Sequence, residues 1–221
     1  MWGLALGAGL LSLLVLTLKW SGLLVFDGRL LFGADAWTWG AGWFAGFLAV
    51  GFAEEFTTRG FVQFTLARGL AGIAGALGME ERPRRVLGFW ATALFFSFIF
   101  GFGHKGNAGE SPIGLVSAGL IGLVFAFSLW RTGSLWWAIG FHAAWDWAQS
   151  FVFGVADSGN MMQHHLLASH PQGSPLMSGG LTGPEGSVYV LVAVVVAAVA
   201  IYATLPTEVG SPSDTRYTLN G

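Results

Sequence analysis

Two adjacent carboxylates, Glu54 and Glu55, close an apolar run of the chain and are followed closely by Arg59. If this stretch is helical, Glu55 and Arg59 are four residues apart and share one face, while Glu54 points about 100° away from Glu55. Arg59 can then neutralise one carboxylate and leave the other free for chemistry. The alternative interpretation is an ion pair that only marks a helix end at the membrane surface.

Two further segments place ionisable groups at membrane depth. Phe100 and His104 are four residues apart, and so are His142 and Asp146. A carboxylate one helical turn from an imidazole can fix its orientation and tautomer, although each histidine taken singly also fits a packed, hydrogen-bonded core group. Because such groups normally face one another or a wet cavity, three segments that each contribute them predict a shared polar site.

Hydrolysis of an amide bond by activated water suits such a site. Glu54 could take a proton from water as general base, and His104 could share that water. His142, oriented by Asp146, could donate to the oxyanion of a tetrahedral intermediate. No covalent enzyme intermediate is needed.

The composition places these residues in a membrane protein. Of 221 residues, 54% are hydrophobic and 10% charged, the mean hydropathy is +0.63, and the apolar residues form long uncharged blocks. The net charge of −2 gives no argument for a nucleic-acid partner, and the lack of cysteine excludes disulfides and thiolate chemistry. We predict one all-α integral-membrane domain over residues 1–221, a bundle of about six to seven spans around a buried polar cavity, located in the cell membrane.

The apolar blocks give the expected spans at 2–18, 36–52, 86–103, 113–130, 134–153 and 188–205. Residues 21–35 are mixed in character and are interpreted as an interfacial hairpin or a short helix. Residues 154–186 form a long polar loop, in which His164, His165 and His170 are interpreted as incidental to function.

Basic residues set the expected topology. They flank the spans 86–103 and 113–130 on one side, which the positive-inside tendency makes cytoplasmic: Arg82, Arg84, Arg85 and Arg131. For Glu54 to reach His104, the ambiguous segment 61–79 must cross the membrane or dip back into it. That places the N-terminus outside, Lys19 inside and the tail with Arg216 inside.

The ordered set of motifs resembles a known family. Glu54-Glu55-x-x-x-Arg59, Phe100-x-x-x-His104 and His142-x-x-x-Asp146 are similar to the motifs of the CAAX protease and bacteriocin-processing family. These are glutamic-type intramembrane endopeptidases and include the eukaryotic type II CAAX prenyl endopeptidase. The likeness extends to residues 132–136, which lead up to the last motif, and covers a core of roughly residues 36–153.

The resemblance implies roles for individual residues. Glu54 would be the catalytic base with Glu55 as its supporting neighbour, His104 would help activate water, and His142 would polarise the substrate carbonyl. Asp146 stands where the family often has asparagine; because an ionised carboxylate cannot donate to an oxyanion, we expect Asp146 to orient His142 or to be protonated.

The resemblance further implies supporting roles for Arg59 and Phe100. The expected partners are the lipid bilayer and a membrane-embedded or membrane-associated peptide or protein, whether or not it is prenylated, and no cofactor is expected.

Three alternatives remain open at the level of sequence. Two imidazoles and a carboxylate are a known zinc set, so Glu54, His104 and His142 could bind that metal. The chain could be a catalytically silent membrane scaffold or a bacteriocin-immunity-type protein on the same fold. Buried glutamate and histidine also build proton relays, so an ion-coupled carrier is the third alternative.

Overall fold

The computed structural model describes residues 2–206 and is almost entirely helical, which confirms the all-α prediction. The tail with Arg216 lies outside the described residues. The long helices are α1 (Trp2–Trp20), α2 (Gly33–Glu55), α3 (Phe64–Ala76), α4 (Glu81–Gly103), α5 (Pro112–Thr132) and α6 (Trp136–Trp147). The chain also forms strands β1 (Leu24–Arg29) and β2 (Leu167–Pro171), the short helix α7 (Pro175–Ser178), the helix α8 (Val190–Thr204) and several short π-helical and 3-10 segments.

Helix α6 is the centre of the bundle, with α1 and α2 packed against it. Glycines of α1 allow that close approach: a Cβ at Gly3 would lie 2.2 Å from the carbonyl oxygen of Trp137, and a Cβ at Gly7 would lie 2.3 Å from that of Phe141. Since lipid is as apolar as a protein core, helices in a bilayer associate through such tight packing. The matched pairs also show that α1 and α6 run parallel.

One uninterrupted helical path runs from α2 into α3. A π-helical segment, Phe56–Gln63, joins them, and the backbone at both junctions, Phe56 and Gln63, stays in the right-handed helical region. The chain turns only after Ala76, at Gly78, whose φ of 88° glycine adopts without steric cost. The expectation that segment 61–79 is a separate crossing or a re-entrant dip is therefore wrong; it continues the helix that carries Glu54.

This continuity reverses the expected placement of the N-terminal helix. Gly3 lies against Trp137, at the start of α6, which follows Arg131 after a short turn. The ring of Phe89, in the first half of α4, lies 4.7 Å from the ring of Trp130, so the first turns of α4, which contain Arg82, Arg84 and Arg85, belong to that same end. We call it the basic end and the opposite one the loop end. The N-terminus lies at the basic end and Lys19 at the loop end, contrary to the prediction from sequence.

The loop end contains structure that the sequence did not predict. Residues 24–29 form a strand, neither a hairpin nor a short helix, and this strand pairs antiparallel with β2 from the long polar loop. The isolated pair is stable here because it packs on the bundle: Phe26 stacks on Phe153 at 6.1 Å, and Leu24 is buried. The polar loop after α6 is thus part of the folded domain.

Within the described residues 2–206, three helices are long and apolar enough to cross a membrane by length and composition: Trp2–Trp20, Glu81–Gly106 and Pro112–Thr132. Helix α8 is apolar but shorter. Helix α5 has clear end signals, because the Ser111 hydroxyl accepts a hydrogen bond from Gly114 N at its start and Gly133 closes it in the left-handed conformation.

Candidate active site

Glu54 and His104 line the same cavity because α4 returns antiparallel along the helix that follows Glu54. A Cβ at Gly88 would contact Ala71 at 3.3 Å, so these two residues mark the same level of the two helices. Ala71 follows Glu54 by 17 residues (71 − 54), and His104 follows Gly88 by 16 (104 − 88). Similar numbers of helical residues therefore bring His104 back towards the level of Glu54.

Glu55 and Arg59 form the ion pair that their spacing predicts. Arg59 Nη1 lies 2.8 Å from Glu55 Oε1, and both side chains are almost completely buried. Arg59 also donates to the Thr58 hydroxyl at 2.9 Å and lies over the Phe100 ring, 4.2 Å from its centroid. A buried ion pair is stable only when both partners remain, because removing one leaves an uncompensated charge in a medium that solvates it poorly.

His142 lies among three carboxylates. Its Nδ1 is 3.2 Å from Glu55 Oε1, while its Nε2 is 3.4 Å from Asp146 Oδ2 and 3.8 Å from Glu54 Oε2. With Nδ1–H donated to Glu55, Nε2 is the nitrogen turned towards Glu54. Asp146 also contacts Nε2, so the hydrogen bond that orients the ring at Nδ1 comes from Glu55. The sequence did not predict this role for Glu55.

The tautomer of His104 is fixed by the backbone. Its Nδ1 is 2.8 Å from the carbonyl oxygen of Phe100, one helical turn earlier, and a carbonyl can only accept a hydrogen bond. Nδ1 therefore carries the proton, and in the neutral ring Nε2 keeps the lone pair that a general base or water ligand needs. The Phe100 ring packs edge-on against His104 at 5.0 Å, as the spacing in the sequence suggested.

A cavity of about 600 Å³ connects these groups. Five of the residues singled out from sequence line it, namely Glu54, Phe100, His104, His142 and Asp146. Glu55 and Arg59 are buried behind this wall. The side chain of Glu54 is 41% exposed whereas that of Glu55 is fully buried, so only the first of the two adjacent carboxylates is open to the cavity.

The long polar loop supplies cavity residues that sequence reasoning missed. Asp157, Ser158 and Glu185 all line the cavity at the loop end. Glu185 accepts hydrogen bonds from the backbone N–H and the hydroxyl of Ser158, and Asp157 accepts one from Ser150 at 3.2 Å. The sequence shows that this loop contains acidic side chains and no Lys or Arg. That composition does not indicate that the loop folds back onto the cavity.

The two loop carboxyls have shifted pKa values. Burial raises the pKa of Asp157 well above its ordinary range, and the neighbouring carboxylates of Asp146 and Glu185 raise it further. Burial also raises the pKa of Glu185, and the two hydrogen bonds from Ser158 act in the opposite direction. This end of the cavity therefore holds carboxyl protons more tightly than water-exposed carboxyls do.

The zinc alternative requires several His, Asp or Glu side chains grouped around one point. Within residues 2–206, no group of three or more His, Asp or Glu side chains is arranged to hold a metal ion. The loop histidines lie elsewhere: His164 stacks on Trp39 at 3.9 Å, and His170 pairs with Asp27 between the two strands.

The molecule is thus a helical bundle of membrane-protein type whose cavity is lined by Glu54, His104 and His142, with the Glu55–Arg59 ion pair buried behind them. The model of the Rce1-like family, described as type II CAAX prenyl endopeptidase Rce1-like, matches residues 36–148 of the chain. The match covers half of the chain and includes every one of the motif residues, and the chain belongs to this family. Comparison with curated proteins and with solved structures gave no significant match.

Proposed function

We propose that the protein is an intramembrane endopeptidase that hydrolyses a peptide bond of a membrane-associated peptide or protein. Membership of the Rce1-like family supports a CAAX-type protease. The structural observation that supports peptide hydrolysis is that the two glutamates have different environments. Glu55 is paired with Arg59, while Glu54 is exposed to a cavity that His104 and His142 also line.

In this mechanism the attacking group is a water molecule between Glu54 and His104. Glu54 accepts its proton as the water oxygen bonds to the substrate carbonyl carbon, and the lone pair on His104 Nε2 accepts the second hydrogen bond of that water. The carbonyl π electrons move onto its oxygen, and collapse of the tetrahedral intermediate expels the amine, which receives a proton from the Glu54 carboxyl. No bond forms between the substrate and the protein.

His142 stabilises the developing oxyanion. Its Nδ1 is held by Glu55, so Nε2 faces the cavity and can donate when the ring carries a second proton. Asp146 and Glu54 next to Nε2 would stabilise that charged ring. In this arrangement Asp146 supports His142, which donates the hydrogen bond to the oxyanion. An asparagine at position 146 is then not required for that donation.

Comparative proteomics of membranes tests the proposal and finds the substrate at the same time. New N-termini would be compared between membranes that contain the unaltered protein, the Glu54→Gln variant or the control variant Glu80→Gln, which changes an exposed glutamate just before α4. We expect products that require Glu54 and not Glu80. Identical sets from all three membranes would contradict the proposal and favour a silent scaffold.

Metal removal provides an independent check. We expect cleavage by the purified protein to continue after treatment with a chelator, because water is activated by side chains alone. Inhibition that is reversed by added zinc would replace this mechanism with the metal alternative.

A further inference from the structure

Gly122, in the middle of α5, lies directly against the buried arginine of the site. A Cβ added at this position would be 2.5 Å from Arg59 Nη2, which is closer than any real contact allows. The next neighbours, Phe100 Cδ1 and Ser97 Oγ, would be at 3.5 Å, an ordinary van der Waals distance. The missing side chain of Gly122 therefore makes room for one group only, the guanidinium of Arg59.

The guanidinium has little freedom to move away from a larger residue. Its Nη1 is bonded to Glu55 at 2.8 Å and to Thr58 at 2.9 Å, and the Phe100 ring covers its face at 4.2 Å. Arg59 is 1% exposed, so no solvent-filled space is open to it. Displacement of Nη2 would rotate or shift the whole planar group and with it the Glu55 carboxylate.

We propose that Gly122 is a positioning residue of the active site, which acts through Arg59 and Glu55 on His142. The chain of contacts is continuous, because Glu55 Oε1 accepts from both Arg59 Nη1 and His142 Nδ1. A shift of Arg59 therefore changes the direction in which His142 Nε2 faces the cavity. This inference rests on the proposed function, since it assigns Gly122 a part in that reaction.

Gly122→Ala is a suitable probe because the conflict is with the end of a side chain. At Gly101, by contrast, a Cβ would be 2.4 Å from the backbone carbonyl oxygen of Leu115, which would force two helices apart. Alanine is also the better helix former, so the substitution does not weaken α5 itself. Gly46→Ala is the matched control, since a Cβ at Gly46 in α2 has nothing within 4 Å.

The test is a double-mutant cycle with Arg59→Lys, which removes the planar group that Gly122 accommodates. Rates would be measured on the best-cleaved member of a library of internally quenched peptides, with the protein in liposomes. We expect Gly122→Ala to lower kcat by roughly tenfold to a hundredfold with KM nearly unchanged. The double variant should be within about threefold of Arg59→Lys alone, because the two positions act through one contact.

Two results would overturn the proposal: kcat of Gly122→Ala equal to that of Gly46→Ala, or losses that multiply in the double variant. If Arg59→Lys has no measurable rate, the Tm values of the same four proteins are compared instead. Gly122→Ala should then lower Tm only where Arg59 is retained, and an equal loss in both backgrounds would contradict it. Glu54→Gln is measured in parallel: if it keeps the full rate, the proposed function fails, whereas the unfolding cycle still reports on Gly122 and Arg59.

Discussion

Glu54 and Glu55 are adjacent in the chain and chemically identical, yet they belong to two different regions of the site. The paired region, formed by Glu55, Arg59 and Gly122, is buried. The cavity region, which includes Glu54 and His104, is open to about 600 Å³ of space. Adjacent carboxylates on one helix can therefore differ in role, one buried in an ion pair and the next open to a cavity, and His142 contacts both.

The largest expected effect is on the cleavage rate, and it distinguishes the histidines that line the cavity from those outside it. We expect His104→Ala to lower the cleavage rate by about 10²–10⁴-fold, because a positioned proton acceptor is lost. His164→Ala serves as the control, since this ring stacks on Trp39. Peptide cleavage by purified protein measures both, and equal effects of the two substitutions would remove the distinction between cavity and surface histidines.

The next effect falls on stability and tests the paired region. Glu55→Gln leaves Arg59 buried without its counter-charge, which should cost roughly 3–5 kcal/mol in the free energy of unfolding. Glu54→Gln changes a side chain that is 41% exposed and forms no direct ion pair with an arginine among residues 2–206, so the free energy of unfolding of this variant should change little.

Unfolding in detergent measures this difference. As a control, the double variant Glu55→Gln with Arg59→Met should recover part of the loss, because the isolated charge is gone. Equal destabilisation by Glu54→Gln and Glu55→Gln would show that the two glutamates do not differ as described.

A smaller expected effect is a change of stability with pH, which tests the environment of Asp157 in the cavity. The pKa of Asp157 is raised in the folded protein, so the folded state binds more protons than the unfolded state. Stability from this group is therefore fully present below its unfolded pKa of about 4 and is lost as the pH rises through the folded pKa.

Asp157→Asn keeps an oxygen that can accept from Ser150 and removes the titration. The variant should gain Tm relative to the unaltered protein as the pH increases from about 5 to 8. Thermal unfolding across this range measures the gain, with Asp27→Asn as the control in the exposed pair with His170. A constant difference in Tm at all pH values would contradict the raised pKa.

The smallest effect is expected at the strand pair. His170 and Asp27 are 2.8 Å apart, but their side chains are 54% and 45% exposed. Exposed ion pairs contribute about 0–1 kcal/mol, so His170→Ala should leave both Tm and cleavage nearly unchanged. A loss comparable to that of Glu55→Gln would show that the sheet supports the site more directly than its exposure suggests.

The sequence predicted the helices and the motif residues because both depend on local patterns. Long apolar blocks become helices in lipid, and a spacing of four residues places Glu55 beside Arg59 whatever lies around them. The order of the blocks, however, does not show whether the chain turns after Glu54. The structure continues as a helix through residue 76, and this reversed the expected placement of Lys19.

The missed features depend on contacts between distant parts of the chain. Strand β1 has its partner at Leu167–Pro171, so no local pattern in residues 21–35 could predict it. Asp157 and Glu185 reach the cavity from an irregular loop without periodicity. Nothing in the sequence distinguishes Gly122 from other glycines of membrane helices, because its contact with Arg59 joins two distant parts of the chain.

The most direct test of the central claim is the cleavage rate of purified Glu54→Gln, measured in the same preparation as its Tm. We expect an unchanged Tm with a rate at least about a thousandfold lower, because the open carboxylate is the base and its loss also disables the groups that act with it. A folded Glu54→Gln variant that cleaves as fast as the unaltered protein would contradict it.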